Sequence, residues 1–453
     1  MKYVIIGGDA AGMSAAMEIV RNEENPQITV LEAGHIYSYG QCGLPYVISG
    51  EIEKSSDVIA RSVEEFRSKY GIDARTGHEV REVDTDNKIV RGRILHSLED
   101  FEVSYDKLLV ATGAASVWPE WEGISLKGIY PLKTIPDTEK ILTALKKDVK
   151  RVAIIGGGYI GLELAESFRE LDKEVRLFQR GPQLATIFDP EMAELILREA
   201  ERKNVQVHLE EEVTHFTGDE SVEKVHTSKG DYEADLVIIA IGVRPSTQFI
   251  EKAEKLKNGA LIVNERMETT VPDVYAAGDC ASHYHMLKEQ PDYVPLGTTA
   301  NKQGRIAGLS MMGFNNEFKG ILGTSILKFF DLALGKTGLS EKEVKEIGIE
   351  YDTNTRIGHD VAGYYPGKET LYTKLIWEKE TQCLLGAQII GGAGVDKRID
   401  VLAVALTQKM CLGELLDLDL SYAPPYNGVW DPIQQIAKRN WKLVKREGEH
   451  ESN

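Results

Sequence analysis

Residues 2–12 read KYVIIGGDAAG and residues 151–161 read RVAIIGGGYIG, and the recurrence of this pattern decides how the chain folds. In each copy a short apolar run opens onto a glycine-rich turn, and a helical spacing of apolar residues follows; Met13, Ala16, Met17 and Val20 carry it in the first copy. A second apolar run closes each unit, Ile28–Leu31 before Glu32 in the first and Val175–Phe178 in the second. Strand, glycine turn, helix, strand is the architecture of a dinucleotide-binding unit. The turn's backbone comes close to a pyrophosphate, and the helix start presents N–H donors and the positive end of its dipole. A repeat of that unit makes duplication the main organisational fact of the chain.

The first turn keeps Gly7 and Gly12 but has Asp9 where a middle glycine would stand. Glu32, twenty residues after Gly12, is placed for a ribose hydroxyl. The second turn matches in full, with Gly156, Gly158 and Gly161, yet its acid position falls on Gln179, followed by Arg180. Loss of the carboxylate removes repulsion of a 2′-phosphate, and the guanidinium can pair with one, so NADPH is expected at this unit. NADH remains the alternative, since Gln can still bond a ribose.

Between and beyond the units, LLVATG (108–113) and LVIIAIGVRP (236–245) read as buried parallel strands that stop at glycine and cross between domains. From about Gly320 the pattern becomes mixed, with strand-like Lys374–Trp377 and Leu384–Ile390 and a helical Ile399–Lys409. The expectation is an α/β chain with two Rossmann-like dinucleotide-binding domains and a C-terminal α+β domain. Residues 1–112 with 246–320 would form the first, 113–245 the second, 321–440 the third, and 441–453 a frayed polar tail.

The chain's 453 residues leave room for two or three domains. Acidic residues outnumber basic ones 71 to 53, a net charge of −18 with no segregated basic patch, which argues against nucleic acid and anionic membranes as partners. No apolar run nears the roughly 20 residues of a membrane helix. MKYVIIGG enters a strand at once without a signal-peptide succession, so a cytoplasmic location is expected. The four cysteines, Cys42, Cys280, Cys383 and Cys411, are spaced for neither a disulfide scaffold nor a zinc site. No metal is expected, and each is read as a thiol, with Cys280, Cys383 and Cys411 as small hydrophobes.

TTVPDVYAAGD (269–279) and LLVATG, taken with both glycine turns, resemble the FAD-dependent pyridine nucleotide-disulfide oxidoreductases over nearly the whole chain. The resemblance implies FAD at the first turn, NAD(P)H at the second, Asp279 on the FAD ribityl chain and a C-terminal dimerisation domain. Glutathione-reductase-like members carry a CxxxxC pair, whereas SYGQCGLPY (38–46) contains only Cys42. With DLSYAPPY (419–426), this segment is most similar to the single-cysteine branch of coenzyme A disulfide reductases. On that reading Cys42 attacks coenzyme A disulfide, releases one CoA and keeps the other as a mixed disulfide, which electrons from NADPH resolve through FAD. A position near a helix amino end would lower the Cys42 pKa.

Other roles follow from the same resemblance. Tyr364 and Tyr422 match the tyrosines that reach the CoA sulfur from the other subunit, implying a homodimer with shared sites; Tyr365 is the alternative to Tyr364. Tyr159 matches an aromatic gate over the flavin, or is a core tyrosine. Glu163 matches the carboxylate that orients the nicotinamide amide, or lies on a solvated helix face. Arg61, Arg67 and Lys69 are candidates for the 3′-phosphate-ADP part of CoA, though surface solvation explains them as well. The rivals are an NADH oxidase or peroxidase working through a sulfenic acid, a persulfide reductase, and a flavin-bound redox sensor. Ala10 stands where the oxidase and peroxidase relatives carry a histidine.

Overall fold

Strands Lys2–Ile6 and Gln27–Leu31 pair in parallel, Lys2 opposite Gln27 and Ile6 opposite Leu31, with helix Ala10–Asn22 between them in the chain. In the computed structural model, which describes residues 1–442, this pair is the middle of a five-stranded parallel sheet. Its order is Val274–Ala276, Lys107–Val110, Lys2–Ile6, Gln27–Leu31, Asp73–Arg75. Successive residues of Lys2–Ile6 feed opposite cores: Ile5 packs with Ala15, Ile19 and Ala307, whereas Val4 and Ile6 pack with Leu108, Val274 and Leu261. Burial on both faces is why the strand reads as a continuous apolar run.

The second sheet repeats the plan, in the order Val205–Leu209, Glu174–Gln179, Arg151–Ile155, Leu236–Ile239, Ile129–Pro131, again all parallel. LVIIAIGVRP is not one strand, as the apolar run suggests. It breaks at Gly242, whose φ of 115° belongs to the region that favours glycine, and Val243–Pro245 turns to pair antiparallel with Ala114–Ser116. Both sheets lie in one compact unit, Met1–Ala185 with Ala200–Ile321.

A second unit comprises Thr186–Glu199 and the chain from Leu322. Its antiparallel sheet runs Ser325–Phe329, Leu332–Gly338, Leu384–Gly391, Thr370–Glu378, Tyr351–His359, with helix Val395–Thr407 packed on the middle strands through Ile399 and Leu402. Alternation is lost where the sheet is covered, and all eight residues of Leu384–Gly391 are buried. The Lys374 ammonium is fully buried here among Asp189 at 2.8 Å, Glu341 at 2.6 Å and Glu191. Those carboxylates are the one metal-ligand-like group among the described residues, and the Lys374 ammonium ion-pairs with all three.

Cys383 and Cys411 depart from the thiol reading: they are bonded to each other as a disulfide. Backbone bonds from Leu384 N to Met410 O and from Leu412 N to Gln382 O set the two residues face to face. That pairing joins positions 28 apart and leaves no trace in local spacing. No helix among the described residues is long and apolar enough to cross a membrane. The expected tail is described only at Trp441 and Lys442, the rest lying outside the described residues.

Candidate active site

The two glycine turns are built alike. A Cβ at Gly12 would stand 2.0 Å from the Gly7 carbonyl oxygen, and one at Gly161 would stand 1.9 Å from that of Gly156, so only glycine lets each helix start against its own strand end. Gly8 N donates to Glu32 Oε2 at 2.9 Å; at the equivalent place Gly157 N donates to Gln179 Oε1 at 3.0 Å. Glu32 also accepts from Gly34 N at 2.7 Å, and burial raises its pKa against these two bonds. Neither helix has a side-chain cap, and Gly158 faces open space, so room for a pyrophosphate lies against the helix start at the second turn. The residues present fit a dinucleotide at each turn.

Gln179 therefore occupies the acid position as an oriented hydrogen-bonding group. Arg180 is exposed, 3.7 Å from Glu212, and available to a 2′-phosphate. Gln179→Glu is expected to shift the ratio of kcat/KM for NADPH over NADH at least tenfold toward NADH, about 1.4 kcal/mol. A wild type that already prefers NADH tenfold contradicts the reading of this pair.

Asp9 carries a function that the sequence reading treats only as a departure from the turn pattern. Its Oδ1 accepts from Tyr39 N at 3.1 Å and its Oδ2 from Gln41 Nε2 at 2.7 Å. The first turn is thereby tied to the segment that holds Cys42. Cys42 lies in the single turn Gln41–Gly43 and leads into helix Leu44–Ser49, with its thiol reachable by solvent. Its pKa is not lowered. Packing around the sulfur pushes it up, the Glu163 carboxylate adds to this, and Lys133 opposes. A six-residue helix contributes too little dipole to win against that desolvation.

Helix Tyr159–Glu170 packs on Leu44–Ser49, where Ser167 Oγ donates to Pro45 O at 3.0 Å, and this brings Glu163 toward Cys42. Burial pushes the Glu163 pKa up to about 7, with Glu166 adding to the effect. Tyr159 opens the same helix and is half-buried. Lys133 Nζ lies 3.3 Å from Asp279 Oδ2. The first unit thus gathers Cys42, Glu163, Asp279, Asp9 and Lys133. Nothing in the sequence pattern singles out Lys133, because it belongs to no motif. Above pH 7, where Glu163 is ionised, Glu163→Gln is expected to raise the rate of Cys42 alkylation by iodoacetamide, and below pH 6 to change it little. Equal rates at pH 8 would remove Glu163 from the electrostatics of the thiol.

Arg61 and Lys69 flank the ring of Tyr70 at 5.8 and 5.1 Å. Arg67 donates to Ala74 O at 2.9 Å. In the second unit Tyr364, 75% exposed, meets Tyr422 with 3.1 Å between their phenol oxygens; Tyr365 takes no part in that contact.

Residues 1–304 match the family model described as pyridine nucleotide-disulphide oxidoreductase, and residues 324–432 match its dimerisation domain. The chain is 39% identical over 444 residues to the NAD(P)H coenzyme A polysulfide/persulfide reductase of Pyrococcus horikoshii, an alignment covering 96% of this chain and 98% of the relative. Identity to the coenzyme A disulfide reductase of Staphylococcus aureus is 32% over 439 residues, covering 96% and 98%. The solved NAD-dependent persulfide reductase from A. fulgidus superposes with a TM-score of 0.94 at 35% identity, covering 97% of this chain and 82% of that one.

Proposed function

The chain belongs to the FAD-dependent pyridine nucleotide-disulphide oxidoreductases, and from that membership we propose that it uses NADPH to reduce coenzyme A disulfide to two CoA thiols at Cys42. NAD(P)H-dependent reduction of a disulfide or of sulfur is supported by the relatives; the substrate and the residue roles are the proposal. The observation that carries it is the state of the cysteines. Among the described residues Cys42 is the one exposed free thiol, because Cys280 is buried and Cys383 and Cys411 are bonded together. A disulfide chemistry that needs a second cysteine has none to use.

Cys42 as thiolate attacks one sulfur of the substrate, and the S–S bond breaks with loss of one CoA thiolate. Cys42 then carries the second CoA as a mixed disulfide. Gly7, Gly12, Glu32 and Asp279 would hold FAD, which would supply the mixed disulfide with two electrons drawn from the nicotinamide. Two electrons split it into the Cys42 thiolate and the second CoA thiolate. Lys133 favours the Cys42 thiolate against the desolvation that opposes it. Gly156, Gly158, Gly161, Gln179 and Arg180 would hold the nicotinamide cofactor, with Glu163 serving to orient its amide and Tyr159 serving as the aromatic gate on the flavin side. The phenols of Tyr364 and Tyr422 in a homodimer hydrogen-bond the departing thiolate at the other subunit's Cys42. Arg61, Arg67 and Lys69 receive the phosphates of CoA.

A second reading, reduction of a CoA persulfide at the same sulfur, is supported by the Pyrococcus horikoshii relative. Comparison of kcat/KM under NADPH separates the two. Coenzyme A disulfide is expected to reach about 10⁴ M⁻¹s⁻¹ or more, with hydrogen peroxide and oxygen far below. Fast turnover with CoA persulfide alone favours the second reading, and flavin reduction without turnover on any sulfur substrate favours a redox sensor.

A further inference from the structure

The two tyrosines sit on loops that have little structure of their own. Tyr364 follows Gly363 in the connection between strands Tyr351–His359 and Thr370–Glu378, and Tyr422 lies in the long approach to helix Pro432–Asn440. Loops of this kind sample many positions unless something fixes them. What joins them is Arg398, on the buried face of helix Val395–Thr407 and itself only 1% exposed.

The Arg398 guanidinium spends its donors on different segments of chain. Nε donates to Asp431 Oδ2 at 2.8 Å and Nη1 to Gly394 O at 2.9 Å. Nη2 donates to Asp360 O at 3.0 Å, on the Tyr364 loop, and to Asn427 Oδ1 at 3.1 Å, on the Tyr422 loop. Asn427 passes the restraint on, donating through Nδ2 to Ser421 O at 3.3 Å, next to Tyr422, and to Asp431 Oδ2 at 2.8 Å. Beyond this core the loops touch directly, Ala362 N donating to Pro424 O at 3.1 Å, and the phenols meet at the tip. A buried ion pair is weak evidence for stability, since a well-packed apolar side chain would serve as well. It specifies which segments meet and at what spacing, and a planar fork with fixed donor directions does this where a lysine cannot.

We propose that Arg398 is a positioning residue, which with Asn427 clamps the Tyr364 and Tyr422 loops at the separation the disulfide reaction uses. The inference rests on the proposed role of the two tyrosines. The test uses full-length Arg398→Lys, which keeps the charge and loses the fork, and Asn427→Ala, which leaves the Arg398 bond to Asp431 in place but removes the bonds Asn427 makes to Arg398, Ser421 and Asp431. In either variant kcat/KM for coenzyme A disulfide should fall about 10- to 100-fold, the scale of a displacement near 1 Å. Flavin reduction by NADPH in single turnover, which needs neither loop, should stay within about twofold. In a Tyr364→Phe, Tyr422→Phe background Arg398→Lys should cost no more than about a further twofold, because the groups it positions are gone. If both single variants fold and keep wild-type kcat/KM, the clamp is refuted. It is equally refuted if Arg398→Lys loses as much in the double-Phe background as alone. A double-Phe enzyme with undiminished turnover would instead overturn the reading of the tyrosines themselves.

Discussion

Cys42→Ser is expected to lower turnover of coenzyme A disulfide by at least about 10³-fold while NADPH still reduces the flavin at the wild-type rate. The loss is large because a serine hydroxyl ionises far above a thiol and forms no disulfide, so the first bond of the reaction cannot be made. No other cysteine can take its place. Cys280 is fully buried, with its sulfur donating to the Val110 and Ala277 carbonyls, and the remaining two are bonded to each other. Cofactor binding should survive, because Asp9 ties the segment to the glycine turn through Tyr39 N and Gln41 and not through Cys42. Stopped-flow flavin reduction together with steady-state turnover checks both halves. Turnover within tenfold of wild type would remove Cys42 from the reaction.

The second large effect concerns assembly. If the Tyr364 and Tyr422 of one subunit serve the Cys42 of its partner, a Cys42→Ser subunit and a Tyr364→Phe, Tyr422→Phe subunit are each nearly inactive alone but complement each other. In their heterodimer one site inherits both defects and the other inherits neither. Random pairing makes about half of the dimers mixed, each with one intact site of two, so about a quarter of wild-type activity should return after joint unfolding and refolding. Heterodimers confirmed by mass but no more active than the average of the parents would place cysteine and tyrosines in one subunit.

The sequence shows the duplicated unit plainly because its signal is local. A strand, a turn that only glycine can make and a helix start are contiguous, and the structure repeats the bond from Gly8 to Glu32 as one from Gly157 to Gln179. The tyrosine pair was legible only through resemblance, since Tyr364 and Tyr422 meet across two loops. What escaped the sequence depends on tertiary contact. In the sequence Asp9 is a break in a glycine motif, whereas in the fold its carboxylate holds the Cys42 segment through Tyr39 N and Gln41. The thiol's pKa direction turned on packing and on Glu163, from a helix more than a hundred residues away in the chain. Cys383 and Cys411 look independent until the backbone pairs them.

The central claim is that a single sulfur, that of Cys42, bonds covalently to coenzyme A during turnover. Its most direct measurement is intact mass after the enzyme, first treated with dithiothreitol and freed of it so that Cys42 is a thiol, is incubated with coenzyme A disulfide without NADPH and freed of excess reagent. The account predicts a gain of one CoA moiety per subunit, removed by dithiothreitol and absent from Cys42→Ser. A wild type that gains no mass, or a Cys42→Ser protein that gains the same mass, would contradict it.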